Sequence, residues 1–396
     1  LKESRIFLIL FLSVFVTTMG ASIIGPLLPI YAHKLGADAF QIGLIFSAFS
    51  FTRSIFVPYF GKLSDIKGKK PIILTGLLFY SLLSVLYFLS NGIWHLIALR
   101  LIQGFASAMI LPVAQAYVGI ITPNSCEGRT MGLFNVSLYG GLSCGPIVGG
   151  IVRDHSGIRY SFLSMGVLAC IGLFLCLFFL PPIEEEPKIS SSRPKTVPYL
   201  VLIKDFTIFS LFLFRVCLTI CIGIMWTFLP LFANTKLGLS STKIGILLSI
   251  HVLSSGLFQI PMGYLADKAN RKAMIIAGGI LGIASTLFLS VASSFWQIAI
   301  VNAILGLSAG ISVPAVMAIS VIEGRRTSSM GSIMGLMAQA HSVGMFFGPI
   351  IAGLLMESIS MRSTFIFSGL ILFLGTSFIP FMDKKSPWHL PGAKEG

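Results

Sequence analysis

Charge is scarce in this sequence. Of its 396 residues only 11% are Asp, Glu, Lys or Arg, less than half of the roughly 25% usual in soluble domains, and only 14 are acidic. A soluble chain of this length could not cover its surface with so few polar groups. Membrane-embedded enzyme chemistry needs a nucleophile with a base, or a metal cluster, and neither pattern is present; the chain reads as no enzyme, with no cofactor. A nucleotide-binding P-loop is also missing, which argues against ATP-driven pumping. The six cysteines do not supply a metal site: Cys217 and Cys221 share a helix face, but no His or carboxylate joins them at ligand spacing. They read as free core thiols. No glycosylation sequon falls in an outward loop, since Asn135-Val136-Ser137 lies within an apolar run.

Hydrophobic residues make up 55% of the chain, gathered in runs such as Ile6–Ile30, Ile42–Phe60, Phe162–Leu180 and Phe365–Met382. Each is close to the ~20 residues that span a hydrocarbon core. In lipid the backbone must satisfy its own hydrogen bonds, so such runs are helices. Twelve spans are predicted, near 6–31, 41–63, 71–90, 94–120, 131–152, 161–181, 207–233, 242–263, 273–291, 295–321, 331–355 and 363–382. The first run exceeds a signal peptide's apolar core and lacks an A-x-A-like cleavage site. The net charge of +14 does not point to nucleic acid, because no basic stripe or aromatic platform accompanies it. It follows instead from loop asymmetry: 19 Lys/Arg lie on the side holding both termini and six on the other. Positive loops stay inside, so both termini are expected in the cytoplasm, with the chain in a bacterial or archaeal plasma membrane. The polar, Pro-containing stretch 182–205 reads as a cytoplasmic linker between bundles at 1–181 and 206–383, with a tail at 384–396.

The two portions repeat. Asp65 and Asp267, Gly104 and Gly306, and Pro112 and Pro314 are each 202 residues apart, and Gly145-Pro146 and Gly348-Pro349 are 203 apart. A duplicated six-span unit with parallel repeats typifies transporters whose halves rock about a site near mid-membrane. After span 2 comes Gly61-Lys62-Leu63-Ser64-Asp65-Ile66-Lys67-Gly68-Lys69-Lys70, echoed after span 8 by Gly263, Asp267 and Arg271. Small residues allow helices to approach, and an Asp near a helix N-terminus gains dipole and hydrogen-bond energy. Such a contact between bundles can break and re-form, which suits a gate.

That loop resembles the signature of the major facilitator superfamily, and the resemblance covers essentially the whole chain. Leu99-Arg100-Leu101-Ile102-Gln103-Gly104 is similar to the R-x-x-Q-G motif of the family's drug:H⁺ antiporter branch. Gly132, Gly141, Gly145-Pro146 and Gly149-Gly150 fit the branch's span-5 motif at every position, and Gly335, Gly344, Gly348-Pro349 and Gly353 echo it in span 11. The resemblance implies an all-α membrane protein of twelve transmembrane helices in two six-helix bundles, the major facilitator fold. It implies a monomer that moves a small-molecule substrate by alternating access, with protons as the coupling ion. The glycine-lined face is expected to pack closely against spans of the opposite half, as a moving seam.

One departure stands out. Tetracycline-type exporters carry an Asp early in span 1, and here that position is Thr17. Every Asp or Glu near a span, namely Asp65, Asp154, Asp267, Glu323 and Glu357, falls at or beyond a predicted end. The embedded charges are cationic: Arg53, Arg100 and Arg215. Placing an ionised group in lipid costs at least ~2.5–3.5 kcal/mol, so these should face a cavity or a partner, with Gln103 as one partner for Arg100. His251 and His341 are candidate proton acceptors. Phe49, Phe51, Tyr139, Met225, Trp226, Phe258 and Met337 are candidate cavity linings. The preferred reading is proton-coupled efflux of small amphipathic or drug-like molecules. The alternatives are an organic-anion transporter selected by the arginines, and a non-transporting sensor or channel.

Overall fold

A computed structural model of the chain describes residues 2–121, 127–181, 199–327 and 330–382. Most of the linker, 182–198, and the tail from 383 onward lie outside the described residues. Twelve long helices make up the described chain: α1 (Lys2–Lys34), α2 (Ala39–Lys67), α3 (Lys69–Leu89), α4 (Ile93–Ile121), α5 (Glu127–Ser156), α6 (Ile158–Phe179), α7 (Phe206–Thr235), α8 (Ser241–Lys268), α9 (Arg271–Leu289), α10 (Phe295–Arg326), α11 (Met330–Ser358) and α12 (Met361–Ser377). A single turn at Tyr199–Leu202 precedes α7, and a 3₁₀ turn at Ile379–Phe381 follows α12. All twelve are long and apolar enough to cross a bilayer, and among the described residues no strand occurs.

The helix starts are written locally. Asp38 opens α2 with a reciprocal capping box to Gln41, and Asp205, Ser240, Asn270 and Ser360 cap α7, α8, α9 and α12. Each supplies a side-chain oxygen to an amide that has no partner inside its helix.

The helices form two six-membered bundles, α1–α6 and α7–α12. Within them, α3 and α6 pack on each other and on α4 and α1, and α9 and α12 pack likewise beside α10 and α7. The remaining eight helices each carry a proline inside: Pro26 and Pro29, Pro58, Pro112, Pro146, Pro230, Pro261, Pro314 and Pro349. The four outer helices carry none beyond the first turn. A proline removes one rung of the helix ladder and bends it, so curvature is confined to helices that surround the centre.

Two glycines set the helix spacing at equivalent places. A Cβ on Gly104 of α4 would come within 2.3 Å of the Phe49 carbonyl oxygen on α2, and one on Gly306 of α10 within 2.4 Å of the His251 carbonyl oxygen on α8. In both bundles a backbone lies directly on a glycine. The predicted spans hold in number and order, with one difference. Helix α10 runs on to Arg326, and so Glu323, expected beyond the span, sits inside the helix fully buried. There it accepts a 2.6 Å hydrogen bond from Arg326, which also pairs with Asp205.

Overfilling such a contact costs ~1–3 kcal/mol. Gly104→Ala and Gly306→Ala should each lower the melting temperature of the detergent-solubilised protein. Gly61→Ala, where nothing lies within 4 Å of the added carbon, should leave it unchanged.

Candidate functional site

A cavity of about 250 Å³ lies between the bundles. Most of its wall comes from the first bundle: Thr17, Thr18 and Ser22 of α1, Phe46, Phe49, Ser50 and Arg53 of α2, Tyr80 of α3, and Arg100, Gln103 and Ser107 of α4. The second bundle contributes Trp226 of α7 and Met345 and Pro349 of α11. Thr17 turns its hydroxyl back onto the Ser13 carbonyl at 2.6 Å, as a hydroxyl in an apolar helix does when no other acceptor is near.

Arg100 is held on every side. It donates from Nε to the Ile45 carbonyl at 3.2 Å and from Nη1 to Gln103 Oε1 at 3.0 Å. Its guanidinium lies over the rings of Phe46 and Phe49, at 5.1 and 4.5 Å from their centres. Tyr87 donates to the same Gln103 oxygen at 3.0 Å. A cation fixed between two aromatic faces and two acceptors tolerates an apolar setting. Arg53 shares the cavity with it, and no Asp or Glu is among the lining residues. The wall therefore combines greasy surface, hydroxyls and two positive charges without an acid.

The other intramembrane candidates are placed elsewhere. Arg215, His251 and His341 are not part of this wall, and each has a buried nitrogen without a hydrogen-bond partner among the described residues. His251 is buried in α8, with its backbone against Gly306. Of the aromatic and Met candidates, Phe49 and Trp226 line the cavity. Tyr139 lines a separate cleft between α5, α8 and α10, while Met225 and Met337 are core residues. Phe51 packs against Phe346 across the bundles, with ring centres 5.6 Å apart, and Phe258 is 38% exposed.

The packing of the glycine motif requires a correction. Cβ atoms on Gly141 and Gly145 would strike Phe15, Thr18, Met19 and Ser22 of α1, and one on Gly149 would strike Ile23. These three glycines face the same bundle, not the opposite one. Their spacing of four puts them on one stripe of α5, while Pro146 and Gly150 lie on the next stripe. That second stripe meets the other half: the Pro146 carbonyl oxygen lies 2.1 Å from a Cβ placed on Gly245, and Ser241 backs onto Gly150. The repeat reproduces the arrangement. Gly344 and Gly348 face α7, whereas the Pro349 carbonyl lies over Gly43 and Gly353 meets Ala39. The surroundings of Gly132 and Gly335 lie outside the described contacts.

Among the described residues, these contacts continue along one side of the bundles. Let the terminal face be the one that carries both chain ends, and the far face its opposite. From the far face inward, α2 touches α11 through Gly43, through Ser47, which donates to the Phe346 carbonyl at 2.5 Å, and through Phe51. Helix α8 touches α5 through Gly245, through Ser249, which donates to the Ser143 carbonyl, and through Gln259, which donates to Tyr139 Oη at 2.5 Å. Further toward the terminal face, nothing lies within 4 Å of a Cβ on Gly61 or Gly263. Among the described residues, these cross-bundle contacts hold the far face closed and do not extend to Gly61 or Gly263. Asp267, with Gly263 on the terminal portion of α8, is exposed there. Lys70 donates to the Leu177 carbonyl at 2.9 Å, a contact within its own bundle. Gly68 takes the positive φ of 84° between α2 and α3, and Lys69 and Arg271 begin α3 and α9. The Asp65 side chain lies outside the described structure.

Twelve spans in two repeat-related bundles, closed on one side of a polar-and-aromatic cavity, define a membrane transporter. The profile of the Major Facilitator Superfamily matches residues 10–242 and 211–395, and the chain belongs to that family. It is 29% identical over 371 residues to the MFS-type transporter MJ1560 of Methanocaldococcus jannaschii, covering 93% of this chain and 95% of that one. It is 27% identical to multidrug resistance protein 2 of Bacillus subtilis, covering 94% of each, and 26% identical to the quinolone resistance protein NorA of Staphylococcus aureus, covering 88% and 89%. Among solved structures, a bacterial homologue of the human lysosomal transporter Spinster, inward-facing and unoccupied, superimposes with a TM-score of 0.81 at 13% identity over 96% and 97% of the two chains. At that identity the likeness shows the fold.

Sequence reasoning missed Tyr80 and Tyr87, which no motif marks, and the pairs Gly43/Gly245 and Ser47/Ser249. Both pairs keep the 202-residue offset, so extending the repeat search to them would have found them. Gln103→Leu leaves the Tyr87 hydroxyl and an Arg100 N–H without an acceptor, at about 1–3 kcal/mol for each orphaned group. Thermal unfolding should show a clear loss of stability.

Proposed function

We propose that this chain exports small amphipathic molecules by alternating access, in exchange for protons, as a monomer in a bacterial or archaeal cytoplasmic membrane. The observation that carries this reading is a central cavity beneath a far face shut by repeat-related contacts. With 19 Lys/Arg on the side of the termini against six on the other, the terminal face is the cytoplasmic one, and the structure is then the inward-open state. Export is supported by relatives named for multidrug and quinolone resistance and by a wall that mixes Phe46, Phe49 and Trp226 with hydroxyl groups, a composition suited to amphipathic cargo. In the opposite state the parted ends of α2 and α8 close, and Gly61, Asp65 and their echoes Gly263 and Asp267 form the cytoplasmic latch. Pro146 and Gly150 move as part of the seam, while Gly141 and Gly145 keep α5 seated on α1 within its bundle.

A second reading is favoured by one observation. Arg53 and Arg100 stand in the cavity without an acidic residue in its wall, and an uncompensated positive site attracts anions. On that reading the cargo is an organic anion.

Proteoliposomes under a pH gradient, tested with lipophilic cations, neutral compounds and organic anions, separate the readings. Gradient-driven accumulation of cations or neutral amphipaths supports the first, and accumulation of anions alone supports the second. In the second case Arg53→Gln should weaken anion transport roughly ten- to a hundredfold, the worth of one charge-assisted contact. No gradient-dependent flux of any class would refute proton-coupled export. Asp65→Ala should reduce flux while leaving the protein in the membrane, and undiminished flux would dismiss Asp65 as part of the latch.

A further inference from the structure

At the far face each bundle reaches across and caps a helix of the other. Asp154, in the last turn of α5, accepts hydrogen bonds from the Ser241 amide at 3.1 Å, the Thr242 amide at 2.8 Å and the Thr242 hydroxyl at 2.7 Å. Ser241 and Thr242 are the first two residues of α8. Its neighbour Arg153 donates to the Ser241 hydroxyl at 2.5 Å. Glu357, in the last turn of α11, accepts from the Phe40 amide at 2.8 Å, and Phe40 is the second residue of α2. Asp154 and Glu357 are 203 residues apart, and Phe40 and Thr242 are 202 apart, so the two contacts are copies of one device.

The division of labour within each capped helix is informative. Ser240 accepts from the Lys243 amide, and Asp38 accepts from the Gln41 amide, so each helix covers its third amide from within its own chain segment. Of the amides nearer the helix start, those of Ser241 and Thr242 in α8 and of Phe40 in α2 go to the carboxylate of the opposite bundle. If the bundles part, α2 and α8 keep their own caps, and only the borrowed ones are lost. Asp154 and Glu357 lie at an exposed rim, where water replaces the broken bonds at small cost. A carboxylate on a helix N-terminus also gains from the dipole, so the contact favours closure while staying weak enough to release. Beneath each carboxylate a glycine of the same helix, Gly150 or Gly353, touches the backbone of Ser241 or Ala39, which fixes the approach distance.

We infer that Asp154 and Glu357 are a pair of outer latches, which hold the far face shut and must both release for the outward-open state. This rests on the alternating-access reading given above. The sequence signal was present in the 203-residue pairing of the two acids, but neither belongs to a motif.

The test uses the full-length protein, with its native cysteines replaced, in lipid nanodiscs. Spin labels at position 89, the far end of α3, and position 291, two residues past the far end of α9, both exposed, report far-face separation by pulsed electron resonance. Loss of one cap should raise the ratio of open to closed far face by roughly 2- to 30-fold, the range for a lost helix cap. Asp154→Ala and Glu357→Ala should each add a longer-distance population, and the double variant more than either. Asp154→Glu, which keeps the acceptor, should restore most of the closed form. Should an alanine variant not fold, Thr242→Ala and Glu357→Gln test the same contacts with smaller changes and should shift the ratio in the same direction. Unchanged distance distributions in the folded variants would overturn the latches, whatever the transport assay gives. A far face that opens in variants exporting none of the compound panel would instead count against the exporter reading and leave the latches standing.

Discussion

Backbone resting on backbone holds the two bundles together. The carbonyl of Pro146 sits over Gly245, and the carbonyl of Pro349 sits over Gly43; no side chain separates the helices at either place. Such an approach requires glycine on one helix, because any larger residue would push the pair apart. The proline bends the helix that offers the carbonyl. The hydroxyls of Ser47 and Ser249, one turn further in, donate to carbonyls of the facing helix and satisfy polar groups that lipid cannot. The position of the cavity follows from this: it begins where the glycine contacts end.

The paired arrangement also accounts for the asymmetry of the cavity wall. The duplicated units share their interface chemistry, yet they differ at the points that face the cavity. Phe49, on the first bundle, lines the cavity and lies over Arg100, whereas His251 at the equivalent place is not among the lining residues. The repeat has kept the joint and let the lining diverge. Duplication of this kind fixes how a molecule moves without fixing what it carries.

Much of this was readable in the sequence, for identifiable reasons. Twelve spans were legible because lipid enforces long apolar runs, and the twofold relation because Asp65/Asp267 and Gly104/Gly306 hold their offset. Arg100 and Gln103 were legible as a pair because three residues on a helix place them on one face, and they do meet at 3.0 Å. The packing partner of Gly141 and Gly145 was not legible. A glycine stripe announces a close neighbour and says nothing of which helix that neighbour is. Glu323 was misplaced because a charge ends a hydropathy window, although the helix continues and an arginine neutralises the acid. Tyr80 and Tyr87 look like any membrane tyrosine until the fold brings them beside the arginines.

The geometry of α2 has a mechanical consequence. This one helix carries the contact at Gly43, the guanidinium at Arg53 and the open end at Gly61. At ~1.5 Å of rise per residue these points are spaced at about 15 and 27 Å from the contact. With Gly43 as the fulcrum, any tilt that brings the inner end of the helix across displaces Gly61 about 1.8 times as far as Arg53. Because Gly104 seats α2 directly on α4, the paired cations Arg53 and Arg100 travel on a common lever, and the electrostatic floor of the cavity shifts with every stroke that seals its mouth.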